Sequence, residues 1–151
     1  MVNKGEYVEN IDIIFRTVLL TWLLLCSLQD IKDKQINLIL ISLGFILLFI
    51  ISIIIGDLSL WQRIAGLTLG IILLILSKVS EGQIGLGDGL IFCIIGLSSG
   101  FYINSLILIY SLLLAAVFSI IYMIFKKVNK KTTIPFIPFI FVVTLGVCLI
   151  E

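Results

Sequence analysis

Two aspartates stand where carboxylate chemistry is possible. Asp30 closes an apolar stretch in Cys26-Ser27-Leu28-Gln29-Asp30, and Asp88 precedes another in Gly85-Leu86-Gly87-Asp88-Gly89. A pair of carboxyls can split a peptide bond with water. One, ionised, takes a proton from the water while the other, protonated, hydrogen-bonds the scissile carbonyl. Like charges held close together cannot both ionise, so such a pair shares a proton and titrates as a unit. Asp88 lies at the start of a helix, whose dipole favours an anion there, so the charge is expected on Asp88 and the proton on Asp30. Gly85, Gly87 and Gly89 allow positive φ and put no Cβ between the loop and an approaching extended peptide. With 12 glycines in 151 residues, a chance GxGD is expected about 0.03 times, so its position beside a second aspartate is informative.

Other catalytic chemistries are excluded by composition. The chain has no histidine, which removes imidazole bases, Ser-His-Asp and Cys-His systems and His-containing zinc sites. Cys26, Cys93 and Cys148 lie in separate apolar runs without CxxC spacing. They read as small hydrophobes, with neither metal nor redox function. No metal and no cofactor is expected.

The elements that must carry the two aspartates are membrane helices. Of 151 residues, 61% are hydrophobic and 13% charged, and the mean hydropathy is +1.31. Soluble domains have about 25% charged residues. A net charge of +1 gives no electrostatic footprint for nucleic acid. Six apolar segments can be marked: 11–28, 36–55, 60–76, 89–103, 105–125 and 134–150. The expected fold is all-α, a polytopic bundle of six transmembrane helices forming one domain over 1–151, with a break at Asn104 between the fourth and fifth. Nothing ahead of the first segment has the basic start of a signal peptide, so that span is expected to be retained. Arg16 and Arg63, near the starts of the first and third segments, are expected to snorkel to an interface, and Asp12 and Asp57 to be solvated. Gly66/Gly70 and Gly96/Gly100 form GxxxG patterns that suit close helix packing within the chain.

Lys32, Lys34, Lys78, Lys126, Lys127, Lys130 and Lys131 follow odd-numbered segments, whereas Lys4, Arg16 and Arg63 fall on the other side. The positive-inside rule then places the odd-to-even loops in the cytoplasm and both termini outside the plasma membrane. Two crossings separate Asp30 from Asp88, which returns the chain to the same face and presents both carboxyls at one depth.

These features resemble the type IV prepilin peptidases, GxGD-type intramembrane aspartyl proteases. In that family the first aspartate follows a transmembrane helix and is itself followed by Ile-Pro-Asn. Here Ile36-Asn37 stand at that spacing without the proline. The second belongs to GxGD, matched by Gly85, Gly87 and Asp88, with Leu90 in place of a frequent lysine. A third motif, Ile-Pro-Phe-x-Pro-Phe, is matched by Ile134-Pro135-Phe136-Ile137-Pro138-Phe139. This last stretch reads as a structural opening of the final helix rather than a substrate contact. The resemblance implies Asp30 and Asp88 as catalytic residues and cleavage of a short basic leader from prepilins or pseudopilins at the cytoplasmic face. It implies a compact core without the methyltransferase region of longer members, hence no S-adenosylmethionine.

The alternatives are a small transporter or channel subunit, or a non-catalytic assembly component. A transporter calls for acids in mid-span or on both sides of the bilayer. No segment carries one in its middle. Asp33 and Glu81 read as solvated loop charges.

Overall fold

The computed structural model describes residues 4–33, 36–56, 58–80, 85–125 and 135–150. Among these the protein is all-helical: α1 Lys4–Asp33, α2 Leu38–Ile55, α3 Leu60–Val79, α4 Leu86–Phe125 and α5 Ile137–Ile150. Four of them, α1 to α4, are long and apolar enough to cross a membrane, making this a multi-pass membrane protein. Six separate helices are not supported. The fourth and fifth expected segments belong to one element, α4, and α5 has 14 residues, about 21 Å of helix, less than the ~30 Å of a bilayer core.

The expected break at Asn104 is displaced to Gly100, which alone inside α4 leaves helical geometry, at φ 81 and ψ 176. A positive φ of this kind favours glycine, since a Cβ would be strained there. Asn104 lies on the far side of the break. Its side-chain Nδ2 donates to the carbonyl of Phe92 at 3.0 Å and to that of Gly66 at 2.9 Å. Twelve residues of straight helix would hold Asn104 and Phe92 about 18 Å apart. The chain therefore folds back at Gly100, and the two limbs of α4 lie side by side.

The outer helices turn one stripe inward, on α1 Phe15, Leu19, Trp22, Leu23 and Cys26, and on α5 Ile137, Ile140 and Thr144, the three-to-four spacing of one helical face, whereas the first limb of α4 is buried on most sides, as at Ile91, Phe92, Ile94 and Ile95. Large side chains on the other faces, such as Ile46, Ile53, Ile75, Ile109 and Val117, are exposed, as a lipid-facing surface requires. The crossing of α3 with α4 is close because it is built on glycine. A Cβ on Gly66 would run into the Gly96 carbonyl, and one on Gly70 into the backbone of Cys93, so the GxxxG reading holds at Gly66, Gly70 and Gly96, while Gly100 serves as the bend.

Arg63 does not snorkel to water. It is buried, donating through Nη1 to Ser52 Oγ (2.7 Å) and Leu97 O (3.1 Å) and through Nη2 to Ser52 O (2.8 Å). Ser52 Oγ in turn donates to Ser98 O at 2.8 Å. Ser52 O lies in the last turn of α2, where it also accepts from the capping Gly56 N at 3.3 Å, and Leu97 O lies in the turn before Gly100, near helix ends where backbone donors become scarce. The cation thus closes two helix ends that hydrocarbon could not solvate. Asp12 also has a partner, since Arg16 Nε contacts its Oδ2 at 3.0 Å.

Candidate active site

Asp30 lies in the last turn of α1, inside the helix rather than in a loop after it. The α1–α2 connection is tied down around it. Trp22 Nε1 donates to Leu40 O at 2.9 Å, Asn37 N donates to Gln29 Oε1 at 3.1 Å, and the Asn37 side chain caps α2 by accepting from Ile39 N at 3.0 Å. Gly44 makes room for the Trp22 ring. The Ile36-Asn37 pair thus has two local tasks: Asn37 starts α2, and Ile36 reaches Gly87, where a Cβ would meet its Cδ1 at 2.5 Å.

Asp88 sits in the first turn of α4 rather than before it. Its backbone N donates to Gly85 O at 3.1 Å, and its carboxyl lies close beside Gly85, an N3 side chain turned back toward the residue before the helix. Among the described residues the positive-φ glycines are Gly56 and Gly100. Gly85, Gly87 and Gly89 do not use the positive φ that glycine allows, and their contribution here is close approach. A Cβ on Gly85 would lie 3.0 Å from Asp88 Oδ2, and one on Gly89 would meet Leu74 Cδ2 at 2.8 Å.

The two carboxyls lie at the same end of the bundle, where α1 finishes and α4 and α5 begin. Asp30 and Asp88 are both half-buried, and they stand within electrostatic reach of each other. Asp33 is exposed, and Glu81 and Asp57 lie outside the described residues. The four lysines of 126–131, Lys34 and Ile134 also lie outside them.

One contact was not anticipated. Asp30 Oδ2 accepts from the backbone N–H of Ile137 at 3.2 Å, across 107 positions of chain, and the Phe136 backbone also faces this carboxyl. Asp30 therefore stands at the N-terminus of α5 just as Asp88 stands at that of α4. The helix dipole favours an anion at both, so it does not single out Asp88 as the charged member. The available signal was the spacing of Pro135 and Pro138, which leaves Phe136 and Ile137 as the N–H donors between them.

The opposite end of the bundle holds a cavity of about 290 Å³, lined by Phe15, Arg16, Ser52, Ser98, Thr144 and Cys148 among others. It includes neither Asp30 nor Asp88. No cluster of three or more His, Cys, Asp or Glu side chains able to hold a metal occurs among the described residues.

A helical membrane protein that gathers two carboxyls at one end of its bundle belongs to a class in which intramembrane hydrolysis is possible. The comparison with family models makes the class specific: the model described as the Type IV leader peptidase family matches residues 17–124, and the protein belongs to that family. Membership makes it a leader-peptidase-type protease. The match spans Asp30, Asp88 and the glycines between them, and it ends before α5. Neither the comparison with curated proteins nor that with solved structures gives a match.

Proposed function

We propose that the protein is an aspartic-type endopeptidase that removes a short basic leader from prepilin-like or pseudopilin precursors at the cytoplasmic membrane face, working as one unit over residues 1–151. Asp30 and Asp88 are the catalytic residues. The observation that carries the reading is their convergence from two helices, α1 and α4, that no local sequence proximity would bring together.

In this mechanism one carboxylate takes a proton from a bound water, and the resulting hydroxide adds to the scissile carbonyl carbon. The other, protonated carboxyl donates to the carbonyl oxygen as it gains charge. When the tetrahedral intermediate collapses, the C–N bond breaks and the proton taken from water passes to the leaving amine. Neither a cofactor nor a metal enters the balance.

Gly85 and Gly87 support the site by absence of bulk, Gly85 beside the Asp88 carboxyl and Gly87 beside Ile36. Gly89 lets α4 settle against Leu74 of α3, fixing the helix that carries Asp88. A bilayer accommodates the apolar outer faces, with the Asp30/Asp88 end cytoplasmic and both termini outside, as the lysine distribution favours.

The test is co-expression with a prepilin-like precursor. Wild type and an Asp57→Asn control should process it, while Asp30→Asn and Asp88→Asn should leave it uncut. Normal processing by either of the last two removes the assignment.

A further inference from the structure

The Pro135–Phe139 stretch has a task that the two-carboxylate mechanism leaves unassigned. Phe136 O accepts from Phe139 N at 3.0 Å and from Ile140 N at 3.4 Å, which makes Phe136 the cap residue of α5 and Ile137 its first helical residue. A phenylalanine side chain cannot accept the free N–H groups of a helix start, as a serine or asparagine would. Pro138 has no N–H, and Phe139 has spent its own on Phe136. The N–H of Ile137 is left over, and it points at Asp30 Oδ2 at 3.2 Å. Asp30 is in effect the cap of α5, supplied from 107 positions away.

The same stretch grips the helix that bears Asp88. The Phe136 ring packs on Phe92 with centroids 6.5 Å apart, and Phe139 packs on Phe118 at 5.3 Å. Phe92 lies four residues after Asp88, one turn along the same face of α4. Phe118 belongs to the second limb. The beginning of α5 is therefore bolted through its rings to both limbs of α4 and through its backbone to Asp30.

We infer that the backbone N–H of Ile137 is a positioning group for catalysis, with Pro135–Phe139 acting as a bridge that fixes the Asp30 carboxyl against α4 and hence against Asp88. This rests on the proposed role of Asp30 and Asp88. The prolines remove competing donors, the phenylalanines set the distance to α4, and the Ile137 amide, beside the Phe136 backbone that also faces the carboxyl, holds Oδ2 of Asp30. A merely structural helix start would need the rings but not the amide.

The experiment removes that one N–H. Proline is tolerated at a first helical position, so Ile137→Pro deletes the donor while keeping the helix start, and Ile137→Ala shortens the same side chain while keeping the donor. The full chain is reconstituted in phosphatidylglycerol-containing vesicles with a synthetic peptide bearing a short lysine-rich leader before an apolar helix. Ile137→Pro is expected to lower kcat by about tenfold or more with KM unchanged, as small displacements of a catalytic group do, and Ile137→Ala to stay close to wild type. Equal kcat for the two variants overturns the inference. Asp30→Asn cleaving as well as wild type would instead overturn the carboxylate mechanism beneath it.

A second measurement is independent of turnover. Thermal melting of Ile137→Pro and Ile137→Ala is compared in the wild-type and Asp30→Ala backgrounds. The lower Tm of the proline variant relative to alanine should be present with Asp30 and vanish without it. A difference that persists in both backgrounds shows that proline acts on the helix alone, and the positioning role falls.

Discussion

The side-chain amide of Asn104 donates to the carbonyl of Phe92 at 3.0 Å, although the two residues lie on opposite sides of Gly100 in a single helical element. The same nitrogen donates to Gly66 O at 2.9 Å, so one amide ties both limbs of α4 to α3. Asn104→Ala should lower the unfolding free energy by about 1 kcal/mol, the scale of hydrogen bonds between membrane helices. The Oδ1 atom is buried without a partner, so part of the lost stabilisation is offset by its removal. Reversible unfolding in mixed micelles measures the change.

Gly66 is less forgiving. A Cβ there would enter the backbone of Gly96, and backbone cannot swing aside as a side-chain tip can. Gly66→Ala should force α3 and α4 apart and reduce the yield of folded protein, seen as loss of the monodisperse peak in size-exclusion chromatography. Gly146→Ala is the matched control, since nothing lies within 4 Å of its added carbon. It should be neutral or stabilising by up to about 1 kcal/mol from helix propensity.

Arg63→Lys preserves the charge and removes the geometry. An ammonium cannot span Ser52 and Leu97 as the planar guanidinium does, and hydrogen bonds to charged groups contribute roughly 1.5–3 kcal/mol each. A loss of about 2 kcal/mol is expected, read in the same unfolding assay. Unchanged stability would mean that the carbonyls of Ser52 and Leu97 do not depend on this side chain.

Gly85→Ala should act on catalysis more than on stability. The new Cβ would press within 3.0 Å of Asp88 Oδ2, on the carboxyl proposed to share a proton with Asp30. A fall in kcat of about tenfold with little change in Tm is expected. Gly87→Ala meets only the tip of Ile36, which can rotate, and should be milder. Gly87→Ala losing more activity than Gly85→Ala would contradict this ordering.

Much of this organisation is legible in the sequence. The apolar runs of α2 and α3 are delimited by their caps: Asn37 and Ser59 precede the helices, and Gly56 follows α2 at φ 75. That Asp30 and Asp88 lie at the same end of the bundle follows from counting the two crossings between them. Helix ends near water are harder to read. α1 begins at Lys4 and runs through Asp33, because polar residues are as able to continue a helix outside the bilayer as apolar ones within it. The bend at Gly100 is hidden because Gly96 and Gly100 look alike in a GxxxG pattern. One accepts the backbone of α3 and the other turns the chain, and only the tertiary neighbours distinguish them. Arg63 is misplaced by sequence for a similar reason, since its acceptors, Ser52 and Leu97, are carbonyls contributed by other helices. The hold of Ile137 on Asp30 is likewise a backbone contact, invisible to residue type except through the prolines that flank it.

The guanidinium of Arg63 carries a consequence for biogenesis. A cation on an apolar segment resists entry into hydrocarbon, and the acceptors of this one are in place only when the preceding span has been made through Ser52 and the following one has reached Leu97. The third hydrophobic segment therefore gains by leaving the insertion machinery in company with its neighbours, as a cohort of three, rather than partitioning alone into lipid in strict order of synthesis.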